Sequence, residues 1–413
     1  MGPADVEAVW RIESARIVAA LTRFTGDFGL AEDAAQEAVA EALVSWPATA
    51  PANPAGWLMA TARRRAIDAI RRRAALHDRY ALLAADPELA SPADPPADAG
   101  LDPDRIDDDV LALMFISCHP VLSREARVAL TLRVVAGLST EEIARAFLAP
   151  VPTIQARITR AKKTIAAAGV PFELPAASER RDRLGGVLSV LYVIFTEGST
   201  ATSGDRLLRP DVAYEAVRLA RTLAALQPDE PEVHGLLALF ELTTARFPAR
   251  TAPDGSPVLL DHQDRRRWDH TAIRRGLTAL VKASTRGLGP YGLQAAIAAT
   301  HASAPTAEAT DWDRIVVLYE ALGRVAPSPV VELNRAVAVA MATGPAAALT
   351  MVDELVAQNR LPGSHLVPTV RGELLTRLGR ASEARAELQL AARLCTNERE
   401  RAVLLNKAAA LQA

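Results

Sequence analysis

Two stretches of this chain place cationic side chains where a polyanion would meet them. Residues 57–80, WLMATARRRAIDAIRRRAALHDRY, carry the triplets Arg63-Arg64-Arg65 and Arg71-Arg72-Arg73 with Asp68 the one carboxylate between them. Arginines this dense repel one another unless anions lie close, which is the footprint of a surface that tracks phosphates. Trp57, Leu58, Ala62, Ala66, Ala69 and Ile70 fall at helical spacing and predict a narrow packed face beneath them. The second stretch is residues 137–163, GLSTEEIARAFLAPVPTIQARITRAKK. Ser139 followed by Glu142 is a capping box that opens a short helix. Pro150 ends that helix and Pro152 suits the first turn of the next. Ile154, Ile158, Ala161 and Ile165 then repeat on an inner face. Thr153, Gln155, Ala156, Arg157, Thr159, Arg160, Lys162 and Lys163 are left outward. A helix-turn-helix needs such a face to enter a major groove, with Arg and Lys for phosphates and guanine edges and Gln for adenine.

Other residue types offer less. His262, Asp264, Trp268 and His270 crowd one stretch around Arg265-Arg266-Arg267, which invites an acid–base reading. No nucleophile elbow, phosphate loop or metal-ligand spacing accompanies them, so the expectation is a loop that caps a groove or docks within the chain. Cys118-His119 has no further ligands at metal spacing, and Cys395 is remote in sequence. No disulfide framework, metal, cofactor or catalytic residue is expected, and the protein is read as not an enzyme.

The elements that must position these residues read as helical throughout. Half of the 413 residues are hydrophobic but only 4% are aromatic, and Ala and Leu dominate. The net charge of −2 puts any nucleic-acid binding in local patches. Residues 5–46 predict two helices about Gly26 and Gly29. Val9, Ile12, Ile17, Leu21 and Phe24 mark the inner face of the first; Ala34, Ala38, Leu43 and Val44 give the second its apolar surface. Asp33, Gln36, Glu37 and Glu41 line one side of that second helix, a docking face for a basic partner or a solvated stripe. A Pro-rich loop precedes the arginine helix. Residues 84–109, with five prolines and a run of acids, read as an extended tether. Leu111, Met114, Phe115, Val128, Leu132 and Val135 are the candidate core of the four-helix unit that ends in the helix-turn-helix. The N-terminus lacks a basic region followed by an apolar core, and the longest apolar stretch, residues 187–195, is too short to span a bilayer. A soluble cytoplasmic protein with no membrane partner is expected.

Taken in order, three motifs resemble the bacterial sigma-70 family, in particular the extracytoplasmic-function (group IV) RNA polymerase sigma factors. Residues 31–43, AEDAAQEAVAEAL, resemble the segment that grips the clamp helices of the polymerase β′ subunit, with Asp33, Gln36 and Glu37 on matching positions and Glu41 beside them. Residues 53–73 resemble the −10 melting and recognition segment. The resemblance there implies DNA contacts for Arg63, Arg64, Arg65, Asp68, Arg71, Arg72 and Arg73. Residues 137–163 resemble the −35 recognition element, implying contacts from Thr153, Gln155, Ala156, Arg157, Thr159, Arg160 and Lys163. The implied partners are core RNA polymerase, through its β′ clamp helices and β subunit, and promoter DNA. Leu148 stands where a typical helix-turn-helix has Gly, so with Pro150 and Pro152 nearby the turn is expected to differ in shape.

The chain continues well past residue 172, and this part resembles the subgroup of such sigma factors with a C-terminal tetratricopeptide-like extension. Gly344 and Gly379 each precede an Ala-rich helix and lie 35 positions apart, close to the roughly 34-residue period of helical hairpins. Stacked hairpins make a concave surface suited to a protein or peptide partner. The expected fold is all-α. It comprises a region 2-like module over residues 1–83, an acidic linker over 84–109, a region 4-like helix-turn-helix module over 110–172 and a helical extension over 173–413. The expected function is promoter-specific initiation modulated by the extension. The alternatives are a helical-repeat adaptor and a stand-alone DNA-binding regulator, each with a sigma-derived DNA anchor.

Overall fold

A computed structural model describes residues 3–47, 51–84, 103–147, 149–199, 208–252 and 256–411. These residues form eighteen α-helices, with a single isolated bridge, Thr251 to Pro257, as the only β pairing among them. The chain divides into two compact units, residues 1–193 and 194–413. The expected boundary at residue 172 therefore moves into a helix, because residues 173–193 pack with the first unit.

The first unit runs α1 (Pro3–Thr25), α2 (Phe28–Ser45), α3 (Pro54–Ala84), α4 (Pro103–Ser117), α5 (Arg124–Val134), α6 (Thr140–Ala146), α7 (Val151–Ala167) and α8 (Ala177–Ser199), the last crossing into the second unit. Gly26 takes φ +66 to end α1, and the Asp27 side chain accepts from Leu30 N at 3.0 Å to cap α2. Trp46 and Trp57 meet edge to face, centroids 5.6 Å apart, and join the end of α2 to the start of α3 across the Pro-rich loop. Leu58, Ala62 and Ala66 are fully buried on α3, as the narrow-face pattern predicts. So are all six expected core residues between Leu111 and Val135. α4 begins at Pro103, inside the stretch read as tether; the part of that tether over residues 85–102 lies outside the described residues, as does Leu148.

Three expectations for the inner faces fail. Ile12 is 69% exposed, Leu43 39% and Val44 82%. The buried stripe of α1 is Val6, Trp10, Ser14, Ile17, Val18 and Leu21, and the small residues Ala31, Ala34, Ala35, Ala38 and Ala42 form that of α2. These alanines admit close helix approach, so the large side chains at Leu43 and Val44 fall on the solvent side.

The second unit continues with α9 (Pro210–Leu226), α10 (Pro231–Thr244), α11 (His270–Ala283), α12 (Pro290–Ser303), α13 (Trp312–Val325), α14 (Pro329–Ala342), α15 (Pro345–Ala357), α16 (Leu366–Arg377), α17 (Ala381–Leu394) and α18 (Glu398–Ala410). α10 is its centre, buried against α9, α11 and α12. From α13 onward each helix packs on the next, and Gly344 and Gly379 turn the chain at φ +113 and +74. α10 and α12 cross where two glycines meet. A Cβ on Gly235 would lie 2.7 Å from the Gly292 nitrogen, and Glu232 accepts from the Tyr291 and Gly292 N–H groups at 2.8 and 3.0 Å. We predict that Gly235→Ala separates these helices and costs about 1–3 kcal/mol. A urea-unfolding midpoint equal to wild type would contradict this.

Candidate nucleic-acid and polymerase interface

The helix-turn-helix is built as its sequence dictates. The Ser139 hydroxyl accepts from Glu142 N at 3.1 Å, and the Glu142 carboxylate accepts from Ser139 N at 2.8 Å. Ile143 and Ala144 of α6 and Ile154, Ile158, Ala161 and Ile165 of α7 are buried between the helices. Thr153, Gln155, Ala156, Thr159, Arg160 and Lys163 are exposed and Arg157 is half-buried, so the face expected to read a groove is outward. Lys162, also expected outward, is not: its side chain is 16% exposed and turned toward α2. Gly137, at φ +71, lets the turn before α6 press onto α1, where an added Cβ would meet the Ser14 hydroxyl at 2.7 Å.

On α2 the carboxylates meet partners from this same chain. Glu32, only 3% exposed, accepts from Arg133 Nε at 3.0 Å and from the Lys162 ammonium, which also reaches Asp33 at 2.8 Å. Burial alone would push the Lys162 ammonium down, but the charges and hydrogen bonds of Glu32 and Asp33 outweigh it and hold its pKa above the usual lysine value. Arg11 with Glu142 and Arg23 with Asp109 add ion pairs between α1 and the helices after the tether. α7 thus lies along α2, and a cleft of about 440 Å³ between them is lined by Asp33, Gln36, Glu37, Gln155 and Thr159. The Gln36 side-chain nitrogen is buried there without a hydrogen-bond partner. Sequence reasoning missed Glu32 because it sits beside the acidic stripe and reads as one more surface acid; a basic residue at Arg133 or Lys162 is no signal by itself.

The arginines of α3 are less free than their number suggests. Arg65 bonds Glu41 at 2.6 Å and lies 3.9 Å from Glu37, and Arg73 bonds Asp27 at 2.7 Å. Arg63 stacks on the Phe24 ring at 4.9 Å, and Arg64 donates to the Thr61 hydroxyl. Arg64, Arg71, Arg72, Arg73 and Asp68 are exposed. Neutralisation within the fold therefore offsets part of the repulsion, and Arg65 bridges the helix expected to hold DNA to the one expected to hold polymerase. Asn53 caps α3 through Gly56 N at 3.0 Å, and Ala52 and Asn53 are exposed.

Residues 11–75 match the family described as Sigma-70 region 2, and residues 112–165 match Sigma-70, region 4. The chain belongs to the sigma-70 family. Residues 183–284 match a family of unknown function (DUF6596), so this sigma factor has a C-terminal extension. An uncharacterized protein of Rhizobium meliloti (strain 1021) is 45% identical over 390 residues, 93% of this chain and 90% of that protein. No solved structure matches. Both family regions fall in the first unit, and the buried Glu32 contact joins them.

Burial pushes the Cys118 thiol up to about 11, and its sulfur lies 3.4 Å from the Thr131 hydroxyl. His365, Cys395 and Glu400 place donor atoms within 4.8 Å of one another, but the imidazole already bonds Glu400 at 3.3 Å and ties α16 to α18.

We predict that Glu32→Gln, which strips Arg133 and Lys162 of their shared counter-charge, weakens the α2–α7 contact by about 3 kcal/mol. Amide hydrogen exchange should accelerate in α2 and α7 together; unchanged exchange in both would show that the packing does not depend on Glu32.

Proposed function

We propose that this sigma factor is of the extracytoplasmic-function kind and directs promoter-specific initiation by core RNA polymerase, with its helical extension modulating activity. The observation that carries this is the pairing in one chain of a region 2 module, with exposed Arg64, Arg71, Arg72 and Arg73, and a region 4 module whose α7 presents Gln155, Thr159, Arg160 and Lys163 outward. Its work is non-covalent and belongs in the cytoplasm with the polymerase. Asp33, Gln36, Glu37 and Glu41 dock the β′ clamp helices. The arginines of α3 hold phosphates of the −10 element while the loop before α3 receives a flipped base. α7 enters the −35 groove, where phosphate contacts position and base edges specify.

The α2–α7 contact sets a condition on this mechanism. The carboxylates that would meet polymerase are the ones Lys162 and Arg65 hold, so docking exchanges intramolecular cations for those of the partner. Region 4 leaves α2 as polymerase takes its place. Exposed Asp33 and Glu37 are the groups an incoming cation meets first. The tetratricopeptide-like hairpins of α13 to α18 suit a protein or peptide partner as the modulating input.

In vitro transcription with core polymerase tests the proposal: the full-length chain should initiate from a specific promoter, and a failure to bind core polymerase would replace it with a stand-alone DNA-binding regulator or an adaptor. A chain ending at Val193 reports whether the extension is required. Arg71→Ala/Arg72→Ala/Arg73→Ala should weaken promoter binding at every sequence and flatten its salt dependence, by a slope of about 0.9 for each phosphate no longer neutralised. Arg160→Ala should cost about 1–3 kcal/mol at one −35 base pair if it reads a guanine, and equally on all sequences if it holds phosphate. Quantitative binding of polymerase holoenzyme to promoter variants at several salt concentrations separates these outcomes.

A further inference from the structure

The stretch around Arg265–Arg267 that stood out in the sequence has a role away from promoter chemistry. His262, His270, Arg266 and Arg267 are exposed, and Arg266 is satisfied by Asp264 at 3.0 Å. Arg265 turns inward instead. After α10 the chain makes short 3-10 turns at Phe247–Ala249, Leu260–His262 and Arg265–Arg267 before Asp269 caps α11. This corner is closed by Trp268, 3% exposed and packed with Leu242, Ala245, Ala272 and Ala299.

Two guanidinium groups converge on that indole, Arg265 at 4.6 Å and Arg246 at 5.8 Å from its centroid, and Arg250 lies close enough to repel Arg246. Their hydrogen-bond acceptors are neutral. Arg246 donates to the Gln263 side-chain oxygen at 3.3 Å, Arg250 to the Ser199 carbonyl at 2.7 Å, and Arg265 to the His301 and Ala304 carbonyls at 2.5 and 2.7 Å. Among the described residues none of the three forms a salt bridge. Burial, then Arg250 and Arg265, lower the Arg246 pKa to about 10, and burial lowers that of Arg250. Exposed Glu308 is close enough to favour the charged Arg265, but among the described residues no carboxylate acts on Arg246 or Arg250. Clustered, half-buried arginines so weakly compensated are costly, and such groups are ordinarily paired. The contrast within the same unit is Glu241, 2% exposed, which Arg221 and Arg275 both reach, at 2.6 and 3.0 Å.

Three buried polar atoms in this corner also lack partners: Arg265 Nη2, Trp268 Nε1 and His301 Nδ1. The first two are donors only. Burial, then Arg246 and Arg265, push the His301 imidazole down to about 4, so it is neutral at pH 7 and Nδ1 can carry a proton. The free valences are those of a site built for an acceptor-rich, negatively charged group.

We propose that the extension binds a small soluble oxyanion, a carboxylate or a phosphate, between Arg246, Arg265, Trp268 Nε1 and His301, with Arg250 adding to the positive field. The extension is then a receptor for a small-molecule anion, independent of whatever the promoter-binding unit does.

Thermal unfolding and tryptophan fluorescence of the full-length protein at pH 7 test this with inorganic phosphate, succinate and chloride at matched ionic strength. Phosphate or succinate should raise the Tm by several degrees and shift the fluorescence, saturating at millimolar concentration or below. Whichever acts identifies the oxyanion class. Arg246→Gln should leave the anion-free Tm equal to or above wild type, because a poorly compensated cation is removed, while weakening the response at least tenfold. Trp268→Phe should remove the fluorescence change. If Arg246→Gln does not fold, Arg265→Lys keeps the charge but loses the fork and should still weaken the response several-fold. Equal behaviour of phosphate, succinate and chloride on the wild type would overturn the proposal, as would a wild-type response in Arg246→Gln or, where that does not fold, in Arg265→Lys.

Discussion

The arrangement of the first unit depends on one buried carboxylate. Glu32 is almost without solvent, and ions in that state are stable only when counter-charges and hydrogen bonds replace the lost hydration. Its two partners come from α5 and α7, more than a hundred residues downstream. The cations that compensate the buried Glu32 carboxylate are therefore in place only when region 4 sits against region 2. Helix packing of α1 on α4 also joins the two modules, and this ion triad ties α2 to α5 and α7. Arg11–Glu142 and Arg23–Asp109 act in the same direction, but Arg11 and Arg23 are more exposed than Arg133 and Lys162, and solvent screening leaves them less to gain.

What was legible in the sequence follows from range. The capping box at Ser139 and the isoleucine stripe of α7 are local, fixed by hydrogen bonds and side-chain spacing over a few residues, and both stand in the structure as read. The core of α4 and α5 was legible for the same reason. Lys162 was assigned to the outer face because helical periodicity separates inside from outside for one helix alone. Lys162 is outside α7 and yet inside the unit, since α2 covers it. Ile12, Leu43 and Val44 failed by the converse route: periodicity assumes that large apolar side chains face the core, whereas the buried stripe of α1 passes through Trp10, Ser14 and Ile17 and leaves Ile12 outside, and α2 packs through its alanines. The arginines of α3 were rightly seen as a cationic surface, but the carboxylates that neutralise Arg65 and Arg73 come from another helix and have no local signature.

In the second unit the same limit had a different consequence. The sequence drew attention to a run of His, Asp and Arg, and the fold divides that run by direction. Asp264 and Arg266 satisfy each other at the surface, while Arg265 turns in to meet Arg246 and His301, neither of which lies in the run. Density of charged residues along the chain measures how many charges there are, not which of them are compensated.

Compensation is the more informative property, and it sorts the cations of this protein into three kinds. Arg133, Arg221 and Arg275 each reach a buried carboxylate and serve the fold. Arg64, Arg71, Arg72 and Arg160 are exposed, so water satisfies them until a polyanion displaces it; such groups cost the folded state little and are suited to reversible binding of DNA. Arg246, Arg250 and Arg265 are drawn from water, and among the described residues they hydrogen-bond to neutral oxygens, with exposed Glu308 acting on Arg265 alone. Ordinary packing would replace such residues with apolar ones of similar volume at no loss of stability. A cluster that keeps its charge at that cost is explained by a ligand whose own charge completes it, and the unpaired Trp268 and His301 nitrogens beside it fall under the same explanation.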